Sequence, residues 1–451
     1  MRVWKVVLGV GALLPGVVVW AAPAGSAIAS QVDEASHARL MLESARGTSP
    51  VMCRLAARTL ESQRGSLPWV GVVALQGPDE DAATWAASAR PGGATTPVLL
   101  AGLEAGDACV RQVASRLLGR SEDESALVGL LAALESVSPL TREAGAVALG
   151  LGEWRRALPA LLDRLGDAAV AVRAAAAWAL GELEQEDVVE ELARVLREDP
   201  EEEVRVAAAQ ALGRIEGARA AAALRTALDD SSVRVRRAVV WALGETEEHQ
   251  SVGGLTGALN DADEGVRETA AWGLGQIESA DAVPALGNTL RFEESISVRE
   301  TAAWALGQIE ATSAVEYLGA ALSDESVRVR RMAAWSTGEI EPSRAPEALI
   351  GALEDVDPGV RRAAAWALGQ IEDAGAAPAL GDALGDADAD VRAAALWALG
   401  GMDGSAASEA LVRALSDEDA QVRVAAARAL SGQNRGPWPW PRPRPRPFPN
   451  P

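Results

Sequence analysis

Residues 360–372 read VRRAAAWALGQIE, and close copies of this string recur along most of the chain. With the valine of each copy as origin, the series runs Val110, Thr141, Val172, Val204, Val235, Val266, Val298, Val329, Val360, Val391 and Val422. Successive origins lie 31 or 32 residues apart. A fixed period of this size marks stacked helical hairpins and overrides any division of the chain by length alone. One unit cannot bury its apolar face unaided, so the units must stack. The pattern predicts an all-α fold, an α-solenoid or superhelix of about eleven 31-residue hairpins behind an irregular helical N-terminal cap.

Within the quoted unit, at about 100° per residue, Val360, Ala364, Ala367, Leu368 and Ile371 fall on one side of a helix, which is its core face. This helix, B, is expected to start near Val360, after a turn made by Asp355, Asp357, Pro358 and Gly359. The next helix, A, is expected over Ala376–Leu384. Pro378 falls in its first turn, where a missing N–H costs little. Pro159, Pro284 and Pro346 take equivalent places.

Two columns look structural. Five residues before the origins stand Asp167, Asp199, Asp230, Asp261, Glu293, Asp324, Asp355, Asp386 and Asp417. One residue after them stand Arg173, Arg205, Arg236, Arg267, Arg299, Arg330, Arg361, Arg392 and Arg423. Stacking sets the columns side by side, so each acid can cap turn amides and pair with an arginine. Isolated exposed pairs contribute little, whereas a ladder forms a network and contributes more.

The Asp–Val-Arg–Ala-Ala–Ala-Leu-Gly pattern resembles HEAT repeats, specifically the short phycobilisome-lyase type of bacteria. The resemblance covers roughly Thr96–Gln433, with Pro97–Gly119 and Ala126–Gly150 degenerate. Residues 82–86, AATWA, keep the register without the Val-Arg pair and read as a decayed repeat. The chain then divides into a leader (1–29), a helical cap with decayed repeats (30–95), the solenoid (96–434) and a Pro/Trp/Arg-rich tail (435–451). Such a motif is specific for fold and says little about function.

Six residues after the origin, seven units carry tryptophan: Trp178, Trp241, Trp272, Trp304, Trp335, Trp366 and Trp397. The chain has fourteen Trp against one Tyr and two Phe, so this column accounts for half of an unusual excess. On the helical wheel Trp366 shares a stripe with Arg362 and Gln370, and the same stripe holds Arg331, Gln276 and Gln308. In HEAT-like solenoids helix B lines the concave surface, and by that resemblance the stripe faces a groove that binds a partner. Three readings stand side by side: indoles lying flat across the neighbouring B helix, an exposed binding ladder, or a by-product of repeat duplication. Twelve residues after the origin runs a column of acids, Glu184, Glu216, Glu247, Glu278, Glu310, Glu341 and Glu372. At a helix C-terminus each opposes the dipole by about 0.3–1 kcal/mol, so a compensating partner is expected. That partner is either an arginine of the adjacent unit or a cationic ligand on an acidic rim.

Composition excludes several functions. The net charge is −22. Setting aside the two cations of residues 1–29 gives −24, and setting aside the four arginines of residues 435–451 leaves −28 on the body. Such a body repels phosphate backbones, so nucleic acid is not an expected partner. The only lysine, Lys5, lies in the leader. The only histidines are His37 and His249, too few for the His–Glu metal pairs of the HEAT-type enzyme deoxyhypusine hydroxylase. No phosphate loop, Cys/His cluster or nucleophile elbow is present. The sequence therefore predicts a non-enzymatic protein without metal or cofactor.

The leader reads as a secretory signal: Arg2 and Lys5, the apolar run Val6–Trp20, then Ala27-Ile28-Ala29 as a small-x-small cleavage site. Uncleaved, it is long enough to anchor the chain in a membrane. Export to the periplasm or cell surface is expected. Cys53 and Cys109 are the only cysteines, and they either form a disulfide or are two small buried apolar side chains. The tail, GPWPWPRPRPRPFPNP at 436–451, has proline at alternate positions, which favours polyproline II. Trp438, Trp440, Arg442, Arg444 and Arg446 make it complementary to an acidic, Trp-lined groove. It is therefore expected to self-associate with a neighbouring copy, to fold back, or to bind an acidic envelope partner. The expected partner of the groove is a protein or extended peptide, cationic or proline-rich. A membrane is involved only if the leader is retained.

Overall fold

The structure, a computed structural model, describes residues 34–49, 53, 90–402 and 405–431. The leader, the decayed repeat at 82–86 and residues 432–451 lie outside the described residues. The described chain consists of helices and short turns, without a strand.

Eleven hairpins are present among the described residues. Their B helices are Ala108–Gly119, Pro139–Leu151, Val170–Glu182, Glu202–Ile215, Val233–Glu245, Glu264–Ile277, Ile296–Gln308, Val327–Ile340, Pro358–Ile371, Ala389–Leu399 and Ala420–Leu430. The A helices preceding them run from Thr95–Leu103 to Ser405–Ala414. In the quoted unit helix B starts two residues earlier than the sequence suggested, at Pro358. Asp357 caps it, its side chain accepting from Val360 N, and Pro358 fills the first turn. The A helix spans Ala377–Asp382 and tightens into a 3-10 turn at Ala383–Gly385. Pro159, Pro284 and Pro378 lie in the first turns of their helices, while Pro346 stands one position earlier, as the N-cap of Glu347–Gly351.

The expected core face is the observed one. Val360, Ala364, Ala367 and Leu368 are fully buried, and the same register repeats in the neighbouring units. Successive B helices approach backbone to backbone, whereas successive A helices touch far less. The closer row has the shorter arc, so the B helices line the inner face of the superhelix. Glycine nine residues after the origin permits this approach. A Cβ on Gly369 would stand 2.8 Å from Ala398 Cα, and one on Gly338 would stand 2.7 Å from Ala367 Cα. Ten units keep this glycine, from Gly119 to Gly400, and the last has Ser431 instead.

At the N-terminal end the helix Glu34–Ala45 lies on Thr95–Leu103 and Ala108–Gly119, burying Ala38, Met41, Leu42 and Ala45. Cys53 and Cys109 form a disulfide, with their Cα atoms 5.6 Å apart. Residue 53 is thus held against the first hairpin. Two regular units between the cysteines would have kept them too far apart to bridge.

Candidate protein-binding face

The Asp and Arg columns meet, with a shift of one unit. Arg330 Nε and Nη2 donate to Asp355 of the next hairpin at 2.7 and 2.9 Å, and Arg330 Nη1 donates back to Asp324 O at 2.9 Å. Asp355 Oδ1 also accepts from Asp357 N at 2.8 Å, which fixes the turn before helix B. The same two-pronged contact joins Arg173 to Asp199, Arg205 to Asp230, Arg236 to Asp261, Arg267 to Glu293, Arg299 to Asp324, Arg361 to Asp386 and Arg392 to Asp417. Arg142 to Asp167 extends the ladder one unit toward the N-terminus, a rung the sequence reading missed although Arg142 follows the origin Thr141. These side chains are occupied in holding units together and offer nothing to a ligand.

The ladder sets a pH dependence. The Arg236 hydrogen bonds hold Asp261 below the usual carboxylate range, against the opposing effect of burial. For Asp355 burial pushes upward, but Arg330 and the Asp357 N–H together outweigh it and the net shift is down. A carboxyl whose pKa is lower folded than unfolded stabilises the fold fully above its unfolded value, about 3.9 for Asp. It loses that contribution as pH falls through the folded value. Thermal melts should therefore be flat from about pH 8 to 5 and drop steeply below about pH 4. A melting temperature unchanged down to pH 3 would rule out the ladder as a stabilising element.

The tryptophan column is mostly packing. Trp335 and Trp366 are buried, and their rings stack at 3.4 Å between centroids with planes 5° apart. Trp178, Trp241, Trp272, Trp304 and Trp397 are half-buried. Trp178, Trp272, Trp304, Trp366 and Trp397 lie toward the preceding B helix, where the glycine column leaves room: Trp397 Cζ3 would be 2.8 Å from a Cβ on Gly369. Of the readings left open by the sequence, packing holds for Trp335 and Trp366. Trp335 and Trp366 are closed to a partner, and five indoles stay partly exposed. Beside them Arg331, Arg362, Gln276, Gln308 and Gln370 are also half-buried. Arg362 reaches Asp390 of the next unit at 3.1 Å. The glycine column was legible as a period-31 signal, and its link to the indoles was not.

The acidic column differs most from expectation. Glu184, Glu216, Glu247, Glu278, Glu310, Glu341 and Glu372 are exposed, and all have positive φ, between 47° and 56°. Glu153 shares the conformation at φ 52°. They stand just past the last turn of helix B, where the chain reverses and where glycine is the usual residue. Among the described residues Glu184, Glu216, Glu247, Glu278, Glu310 and Glu341 make no ion pair with an arginine of the adjacent unit, the partner expected from sequence. Left-handed backbone costs a non-glycine residue roughly 1–2 kcal/mol, part of which glycine loses again in unfolded-state entropy. Replacing Glu278, Glu310 and Glu341 together by Gly should therefore raise stability, by up to about 1 kcal/mol per site. Denaturant melts check this, and a loss of stability would reveal a structural partner for these carboxylates.

Among the described residues no cluster of His, Cys, Asp and Glu is arranged to hold a metal ion. No described helix is long and apolar enough to cross a membrane. A model of HEAT repeats matches the chain in overlapping windows from residue 158 to residue 437. The chain belongs to the HEAT-repeat family. Yeast importin-β (Kap95p), solved in a study of its binding to RanGDP, superposes with a TM-score of 0.52 at 16% identity, over 88% of this chain and 61% of that one. Kap95p in a complex with Nup1 gives 0.52 at 15%, over the same shares. This HEAT chain thus spans about three fifths of the importin-β chains it resembles. Human deoxyhypusine hydroxylase aligns at 24% identity over 56% of this chain and 98% of that one, with a TM-score of 0.27. No curated protein matches.

Proposed function

We propose that this HEAT solenoid is a non-enzymatic protein-binding scaffold of the bacterial cell envelope. Its inner, B-helix face takes an extended protein segment that is cationic or proline-rich. The observation that carries the reading is the composition of that face: five partly exposed indoles interleaved with half-exposed arginine and glutamine, and flanked by the exposed glutamate row. Indoles in a polar frame are the composition of binding hot spots, and the glutamates favour a positive ligand. HEAT solenoids commonly serve as interaction scaffolds, and the importin-β structures that this chain resembles include one from work on RanGDP binding and a complex with Nup1. The disulfide supports export, because such bonds persist in oxidising compartments.

The test is a crosslinking pull-down from the native envelope, followed by binding measurements on two variants. Trp304→Ala with Trp397→Ala should stay folded and weaken binding of the captured partner. Glu278→Gln with Glu310→Gln and Glu341→Gln should weaken it further at low salt and little at high salt. If both variants bind as the parent does, the inner face is not the site. A second reading, an accessory subunit of an enzyme like the phycobilisome-lyase-type chaperones, is favoured if the captured protein is a single stoichiometric enzyme.

A further inference from the structure

The two ends of the solenoid are unlike. The N-terminal end is closed by Glu34–Ala45, which is tied down beside the first hairpin by the Cys53–Cys109 disulfide. The C-terminal end of the described chain is open. Leu430 is 39% exposed and Val424 49%, and from the A side Leu415 is 42% exposed and Val412 57%. The residues in register with Leu430, such as Leu243, Leu306 and Leu368, are fully buried by the next unit. Arg423 carries the same message. It donates Nη1 to Asp417 O and Glu418 O as its counterparts do, but among the described residues no carboxylate meets its Nε and Nη2. Ser431 replaces the glycine that elsewhere admits a following B helix. The last hairpin is thus built to be followed by something other than another repeat, and terminal repeats of solenoids need such a cover.

We propose that residues 432–451 fold back over this open end as its cap, with Trp438 and Trp440 seated on Leu430 and Val424. The segment begins where the face begins, which gives it an effective concentration on the order of millimolar against any free competitor. Trp438 stands eight residues past Leu430, a reach of about 25 Å at polyproline II rise, against about 10 Å between neighbouring helices. Its alternate prolines rule out another helical hairpin, and its ordering cost is already low. Glu418 and Asp419 of the last hairpin are offset by Arg423 and Arg428, so apolar contact and not charge carries the seat. A second copy docked end to end would bring two four-arginine tails together at the same face.

Hydrogen exchange of Ala420–Leu430 is the readout, compared between the full chain, a chain ending at Arg435, and the full chain with Trp438→Ser and Trp440→Ser. Both changes should speed exchange there by about tenfold or more, leaving Val327–Ile340 unchanged. Synthetic peptide 436–451 added to the shortened chain should restore protection. If the double-serine chain exchanges as the parent does, the cap is excluded. If protection depends on protein concentration and light scattering shows a dimer, a second copy covers the face and the proposal falls. Groove-binding variants such as Trp304→Ala should leave this readout unmoved, so this inference and the scaffold reading fail separately.

Discussion

Asp355→Ala should cost about 3–5 kcal/mol, the range for removing one partner of a largely buried ion pair. The carboxylate receives three donors, Arg330 Nε, Arg330 Nη2 and Asp357 N, and the side chains of both partners are largely shielded from water. Alanine leaves the arginine fork desolvated and unpaired, and it also frees the amide that shapes the entry to Pro358–Ile371. In a solenoid each unit contacts only its neighbours, so the loss falls on the junction between Val327–Ile340 and Pro358–Ile371. Denaturant unfolding followed by circular dichroism should therefore change from one transition to two. Arg423→Ala supplies the contrast. It removes the same residue type at the same register, where no next-unit carboxylate is present among the described residues, and should cost only about 1 kcal/mol. Asp355→Leu with Arg330→Leu should recover much of the single-mutant loss, because two apolar side chains desolvate no charge. Equal effects from Asp355→Ala and Arg423→Ala would show that the ladder does not hold the units together.

The features that were legible in the sequence are those fixed by periodicity. A 31-residue repeat names the hairpin, and the buried positions of helix B follow from the wheel. The Asp and Arg columns were visible as columns, and stacking made their pairing a necessity. Their one-unit offset was not readable, because it depends on how far successive hairpins are displaced along the superhelix axis. The glutamate row was misread for a local reason. Sequence habit expects glycine or asparagine at a left-handed helix terminus, so the seven glutamates from Glu184 to Glu372 looked like the last turn of a helix, and Glu153 was passed over. The tryptophans were ambiguous because two residues acting together decide their exposure. Gly338 lets Trp366 sink between the B helices, and a wheel drawn for one helix contains no neighbour. What remains available for binding is therefore smaller than the sequence suggests, and the most exposed repeated chemistry is the carboxylate row.

Removing the disulfide should have a comparably large but local effect. Cys53 and Cys109 close a loop of 56 residues, which in the chain-entropy account contributes about 4 kcal/mol. That stabilisation belongs to the N-terminal cap. It opposes release of Glu34–Ala45, whose Ala38, Met41, Leu42 and Ala45 would otherwise be the main attachment to Thr95–Leu103. One twelve-residue helix with five buried apolar side chains, three of them alanines, is a weak anchor against the entropy of the residues that link it to the solenoid. In the variant with Cys53→Ser and Cys109→Ser, proteolysis should cut within residues 46–94 while Pro139–Leu430 stays intact, because a solenoid transmits a lost end contact only to the next unit. The parent protein treated with reductant should give the same fragments. If Glu34–Ala45 remains protected after reduction, packing alone holds the cap and the crosslink contributes little. The same measurement bears on location. Protein made without residues 1–29 in a reducing cytoplasm should behave as the serine variant, and exported protein as the parent. If the protein is exported as proposed, a cap that closes only after oxidation would be completed outside the cytoplasm.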